Sequence, residues 1–215
     1  MCSIYAHYPK PDYLFNVAFM NIILASQSPR RLFLLQAAGF EVQVCASNIN
    51  EKAEPNESTQ AMTLRLCKEK AAACVLANQS GTPIVAADTL VSVDEEALGQ
   101  PQNLAEAKVM IQKLSGKQHQ VYTAVCVRIG EVYKTAVVST IVHFRKLTEQ
   151  EIEIYLQNND ILDKAGAYAI QGGASSFIVA IQGCLDNVIG LPILQTKALI
   201  EETRLALHQD AGEKQ

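Results

Sequence analysis

Four kinds of side chain in this sequence could carry chemistry together. The first is Asp88, set inside Ile84-Val85-Ala86-Ala87-Asp88-Thr89-Leu90-Val91, the most apolar strand-like run of the chain. A lone carboxylate there is costly to bury unless a metal, a cation or several donors meet it. Asp88 is therefore a site candidate; a structural Asp tied to backbone donors is the alternative. The second is Arg30-Arg31, directly after Ser26-Gln27-Ser28-Pro29. Two guanidiniums in the first turn of a helix oppose its dipole, and a bound polyphosphate would explain them, because Arg meets phosphate oxygens in a planar fork. A capped helix with two solvated arginines explains them equally well. The third is Lys70, whose helical neighbours three and four residues away are Leu66, Cys67, Ala73 and Cys74. It either points along that apolar row into the fold or snorkels to the surface. The fourth is Glu51, in the polar stretch Asn48 to Pro55. Cations of this kind can neutralise a polyphosphate while carboxylates hold Mg²⁺ or orient a water for in-line attack on phosphorus.

The elements that must position these groups follow from periodicity and punctuation. Ile23 to Ala25 reads as a strand, Ser28 as an N-cap and Pro29 as the first helical residue. Glu41 to Val44 alternates as an edge strand does. Ser58 or Thr59 starts a helix expected to run to about Asn78, before Gln79-Ser80-Gly81-Thr82-Pro83. Asp94-Glu95-Glu96 reads as a solvated turn leading to a helix over Leu104 to Leu114. Gln120–Ile129 and Val132–Phe144 form a hairpin about Gly130-Glu131. Thr148 with Glu151 makes a capping box for a helix lasting to about Asn158. Asp163 to Gly173 is a Gly-bounded segment combining an acid, a base and an amide. A strand is expected from Ser175 to Ile181, a turn over Asp186 to Pro192, and a final helix to about His208 followed by a polar tail, 209–215. Strands and helices interleave around a hairpin, which implies an α/β fold with a mixed twisted sheet in two lobes and a cleft between them.

Composition limits the alternatives. With 215 residues, 49% hydrophobic and 19% charged, the chain is long enough and apolar enough for a proper core. A net charge of −4 and a pI near 5.6 give no positive field for a nucleic acid polymer or an anionic membrane. No apolar run is long enough to span a bilayer. Six scattered cysteines without a C-x-x-C pair read as small buried hydrophobes in a reducing cytosol, which places the protein in the cytoplasm. Met20-Asn21-Ile22-Ile23 would make a sensible chain start, so residues 1–20 are expected to be an extension and 21–208 a single two-lobed catalytic domain. Neither G-x-x-x-x-G-K-[ST] nor G-x-G-x-x-G occurs.

Five motifs in order give a specific resemblance. Ser26-Gln27-Ser28-Pro29-Arg30-Arg31, Ala87-Asp88-Thr89, Leu114-Ser115-Gly116 with His119 and Thr123, Asp163-Lys164-Ala165-Gly166-Ala167-Tyr168 with Ile170-Gln171-Gly172, and Asn187-Val188-Ile189-Gly190-Leu191-Pro192 resemble the Maf family of nucleoside triphosphate pyrophosphatases. The resemblance runs from about Ile22 to Ala206. It implies an ITPase-like fold with a deep cleft, often as a homodimer. It also implies a metal-dependent hydrolase that splits a nucleoside triphosphate into monophosphate and pyrophosphate, with Mg²⁺ or Mn²⁺ held by Asp88 and Glu51. By the same resemblance Asp88, Glu51 and Lys70 are the catalytic set, and Ser26, Arg30, Arg31, Thr89, Gln171 and Lys164 bind and select substrate.

Arg30 after the proline, Thr89 after Asp88 and Gln171 before Gly172 resemble the branch acting on dTTP and UTP. The branch acting on 7-methyl-GTP has a bulky aromatic at the first position and Gln at the second. Gln171 can both donate to and accept from a pyrimidine edge. One departure stands out: the pyrimidine branch commonly has a lysine where Gln100 precedes Pro101, and its loss is expected to weaken phosphate binding or loosen selectivity. The rival to an enzyme is a non-catalytic nucleotide binder regulating septum formation, as Maf-like proteins have been linked to septum inhibition. A costly buried carboxylate speaks for chemistry.

Overall fold

A computed structural model describes residues 20–74 and 81–212. Residues 1–19 of the expected extension and the expected end of the second helix near Asn78 lie outside the described residues, and Met20 opens the first strand. Seven strands form one mixed sheet in the order β2-β1-β3-β5-β6-β7, with β4 paired to β3. β1 (Met20–Leu24) runs parallel to both β2 (Phe40–Val44) and β3 (Ile84–Val93). The long β3 then meets β5 (Gln118–Ile129) antiparallel, and β5 continues through Gly130-Glu131 into β6 (Val132–Phe144), as expected. β7 (Ile178–Gln182) closes the far edge on β6.

Helices cover both faces, and alternation along β3 decides which residue meets which helix. Val85 and Ala87 pack with Leu34 and Leu35 of α1 (Pro29–Ala37) and with Leu199 and Ile200 of α6 (Ile193–Gly212). Ile84 and Ala86 face the other way, onto Cys67 and Ala71 of α2 (Thr59–Ala73), and Leu90 meets Met62 and Leu66 of the same helix. Farther along, Val91 and Val93 enter a second cluster with α3 (Leu104–Leu114) and α4 (Glu149–Asn158). The two lobes thus share one sheet, and β3 runs through both. Cys45, Cys67, Cys74 and Cys126 are buried in these clusters. No helix among the described residues is long and apolar enough to cross a membrane.

Several boundaries differ from expectation for local reasons. Helix α2 stops at Ala73, because Cys74 turns extended with its side chain buried. Asp94 and Glu95 both take positive φ, 50° and 65°, and make a tight hairpin turn from β3 into the short β4 (Glu96–Leu98). Strand β7 begins at Ile178, not Ser175, because Gly173–Phe177 winds as a 3₁₀ turn that buries Ala174 and Phe177. A short helix, α5 (Leu185–Ile189), precedes Gly190, and the final helix runs on to Gly212, past the expected end at His208. The capping box of Thr148 and Glu151 forms as the spacing requires.

Candidate active site

The strand-turn-helix from Ala25 to Arg31, the loop at Ser47 to Glu51, the middle of β3 and the loop from Asp163 to Gln171 enclose a cleft of about 650 Å³. All nine residues proposed from the sequence line it: Ser26, Arg30, Arg31, Glu51, Lys70, Asp88, Thr89, Lys164 and Gln171. They fall into three linked groups, with Gln171 exposed in the wall.

The carboxylate group is built on opposed faces of α2 and β3. Lys70 is buried, so the snorkelling alternative does not hold. Its Nζ lies 2.5 Å from Asp88 Oδ1 and 2.8 Å from Glu51 Oε1. Asp88 is 4% exposed, and its second oxygen, Oδ2, is buried with no hydrogen-bond partner among the described residues. One ammonium therefore bridges two carboxylates, and one oxygen of Asp88, a residue that lines the cleft, is left uncompensated. Buried oxygens of this kind call for a cation or a proton donor.

The second group centres on Arg31. Its Nε donates to Gly190 O at 2.9 Å, one terminal nitrogen to Ser26 Oγ at 3.1 Å and the other to Thr89 Oγ1 at 3.1 Å. Enclosure of this guanidinium pulls its pKa down, against an opposing pull from Asp88. Ser28 occupies the N-cap position of α1, but its side chain makes no capping bond; instead Ser26 Oγ accepts from Ser28 N at 3.1 Å. Thr89 continues inward to Thr123 Oγ1 at 2.9 Å, and Thr123 Oγ1 donates to Asn187 O. Asn187 Nδ2 in turn donates to Val121 O and Thr140 Oγ1. Arg31 thus ties β1, β3 and the turn after α5 together, and the motif residues Thr123 and Asn187 are its buried supports.

The third group spans the cleft. Arg30 pairs with Asp163 Oδ2 at 3.0 Å, and Lys164 pairs with Asp163 Oδ1. Gln100 Nε2 donates to Asp163 O at 3.3 Å, so the position where the resemblance leads one to expect a lysine lies against this cluster. Partial burial would raise the Asp163 carboxyl, but the Lys164 and Arg30 hydrogen bonds outweigh it and hold the pKa low. Asp163 was not singled out by the sequence reading, although the acid-base-amide segment that contains it was. The segment is held by Gly166, whose φ of 67° and close approach to Val91 leave no room for a side chain: a Cβ would lie 3.0 Å from Val91 Cγ2. Tyr168 anchors it further through its hydroxyl, 2.8 Å from His119 Nε2. Burial and repulsion from His143 push His119 down to about 4.

Among the described residues no cluster of three or more His, Cys, Asp and Glu gathers as a metal cage. Two carboxylates, one of them with an unpartnered oxygen, nonetheless fit Mg²⁺ or Mn²⁺, which takes hard oxygen donors and commonly uses one or two carboxylates with substrate phosphates completing the shell. The fold and the site define a mixed α/β protein whose cleft opposes cations to a buried carboxylate, an arrangement that can hold a polyphosphate and present a base to water.

Comparison with known proteins agrees with that class. The family model for Maf-like protein matches residues 21–203. A nucleoside triphosphate pyrophosphatase from Haemophilus ducreyi is 41% identical over 189 residues, covering 86% of this chain and 96% of its own. The dTTP/UTP pyrophosphatase of Anaeromyxobacter sp. strain Fw109-5 is 41% identical over 196 residues, covering 89% and 93%. That of Vibrio cholerae is 40% identical over 182 residues, covering 85% and 97%. This chain belongs to the Maf family.

Proposed function

We propose that this chain is a nucleoside triphosphate pyrophosphatase that hydrolyses dTTP and UTP to the monophosphate and pyrophosphate. The observation that carries the reading is the Lys70-bridged carboxylate pair lining the cleft, with Asp88 Oδ2 unpartnered among the described residues. Asp88 Oδ2 accepts the proton of a water whose oxygen attacks the α-phosphorus, and the α–β bridging oxygen leaves with pyrophosphate. Lys70 aims Asp88, and its second contact holds Glu51 at the same place. Arg30 and Lys164 neutralise the β- and γ-phosphates, where Arg offers a fork and Lys a point charge. Arg31 orients Ser26 and Thr89 and fixes the turn that carries Arg30. Mg²⁺ or Mn²⁺ would be held by Asp88 and Glu51, and when bound it supplies charge neutralisation on the phosphate oxygens. Gln171, exposed in the cleft wall, offers a donor and an acceptor to a pyrimidine edge. Two of the relatives described above carry the name dTTP/UTP pyrophosphatase, which supports that choice of base.

Pyrophosphate release across dTTP, UTP, the other nucleotides and 7-methyl-GTP tests the reading. Pyrimidine triphosphates are expected to turn over fastest, with little product from 7-methyl-GTP. Asp88→Asn is expected to fold and to lose nearly all turnover. Equal turnover of all bases would refute the substrate choice, and an active Asp88→Asn would remove the base.

A further inference from the structure

We propose that Asp163 is a built-in competitor of the substrate's phosphates, a clasp that occupies Arg30 and Lys164 when the cleft is empty and yields them to a triphosphate. The inference rests on the proposed function, in which those two cations hold the β- and γ-phosphates. Its basis is the geometry of one residue. The two carboxylate oxygens of Asp163 are divided between the two cations, Oδ2 to Arg30 and Oδ1 to Lys164, which is how two phosphate oxygens would be divided. Arg30 also reaches the main chain of the same residue, with Nη2 3.4 Å from Asp163 O, and Gln100 Nε2 donates to that carbonyl.

The contact is not an incidental surface pair. Arg30 and Asp163 are 133 residues apart and come from opposite walls of the cleft, α1 and the loop after α4. The Asp163 loop is braced on its own side: Lys164 N donates to Ile161 O, Gly166 N to Gly99 O at 2.9 Å, and Tyr168 is held by His119. A braced loop delivers its carboxylate to a fixed place. The pair is also displaceable, since the Asp163 side chain is 48% exposed and Arg30 is 23% exposed, and solvent-screened pairs of this kind are weak. A polyphosphate with several charges can replace one carboxylate at both cations simultaneously. A carboxylate left nearby then repels the bound anion, so neutralising Asp163 removes both the competition and the repulsion.

The test uses inorganic tripolyphosphate as the probe and the full chain as the protein, with affinity measured by isothermal titration calorimetry. Asp163→Asn keeps the side-chain shape and is expected to tighten tripolyphosphate binding by about fivefold, the scale of one partly exposed ion pair. Asp163→Ser should do the same, and Asp163→Glu, which restores the charge, should return the affinity to within about twofold of the unaltered protein. In turnover, Asp163→Asn should lower KM for dTTP by a similar factor while leaving kcat close to its original value. Unchanged or weakened tripolyphosphate binding in both charge-removing variants overturns the clasp. Because tripolyphosphate has no base and need not be cleaved, the two readings fail separately. Tightened binding without dTTP or UTP hydrolysis refutes the proposed function alone, and hydrolysis without tightening refutes the clasp alone.

Discussion

Replacing Lys70 with Met isolates the ammonium on which the site is organised. Met keeps the unbranched stem in the helical row shared with Leu66 and Cys67, while the charge between Asp88 and Glu51 is lost. The Lys70 and Asp88 side chains are 11% and 6% exposed, so solvent screening gives little relief. Removing one partner of a buried pair costs about 3–5 kcal/mol, because the other charge is left uncompensated. Glu51, at 48% exposure, adds little to that cost. Asp88 lines the cleft, so the low end, about 3 kcal/mol, is expected. For a chain of this size that corresponds to a fall in Tm of roughly 6–12 °C. Asp88→Asn placed on top of Lys70→Met removes the stranded charge, so the double variant should be more stable than Lys70→Met alone, with a coupling of about 2 kcal/mol. Urea unfolding followed by circular dichroism measures the cycle, and pyrophosphate release should show Lys70→Met about 10²–10³-fold slower. A Lys70→Met protein within about 0.5 kcal/mol of the parent, or single costs that simply add, would show that Asp88 does not depend on this ammonium and would refute the reasoning.

Gln100→Lys restores a cation beside the Asp163 cluster and should lower KM for the triphosphate by about two- to fivefold; an unchanged KM would mean that the family's lysine matters little here. Chelation with EDTA should halt pyrophosphate release, and added Mg²⁺ or Mn²⁺ should restore it, whereas hydrolysis indifferent to metal would deprive Asp88 and Glu51 of their ligand role. His119 has its folded pKa depressed from 6.5 to about 4. Its unfolded state therefore takes up the proton first on acidification, so stability falls as pH drops from about 6.5 toward 4, by up to about 3 kcal/mol. Thermal melts across that window should show a shallower slope for His119→Gln, and an identical slope would mean that His119 is not the titrating group.

The alternating and helical patterns make most of the fold legible in the sequence. The β5–β6 hairpin, the Thr148 capping box and the strand carrying Asp88 needed only local physics to read. What escaped was fixed by distant contacts. Strand β4 follows a turn whose two residues, Asp94 and Glu95, sit at positive φ without a glycine, and only its pairing to β3 makes it a strand. The run after Gly173 is apolar enough for a strand, but Ala174 and Phe177 are drawn into the core around α3 and α4, and the chain coils to bury them. In the site, Lys70 was ambiguous because helical spacing reveals the row a side chain lies on but not what stands opposite; Asp88, 18 residues away, decides it. Asp163 was passed over for the opposite reason. An acid next to Lys164 reads as a local pair, and nothing in its neighbourhood in sequence points to Arg30.

The dipeptide Asp88-Thr89 explains why this site needs a strand, not a loop, at its centre. Successive residues of β3 point to opposite faces, so Asp88 meets Lys70 of α2 while Thr89 meets Arg31 of α1. Two adjacent positions thereby join helices on the two sides of the sheet to one cleft. The register that makes this possible is held by β5, where Ala124 lies opposite Asp88 and Thr123 opposite Thr89. Thr123 then hands the contact on to Asn187, next to the turn whose Gly190 carbonyl receives Arg31. A slip of one residue would turn Asp88 toward Arg31 and the α1 side and leave Lys70 facing a hydroxyl or a methyl group, breaking both networks together. The conformational demand on the sheet is therefore as strict as that on the side chains. The buried Thr123-Asn187 chain, which touches no substrate in the proposed mechanism, carries that demand from the sheet interior to the two arginines at the cleft.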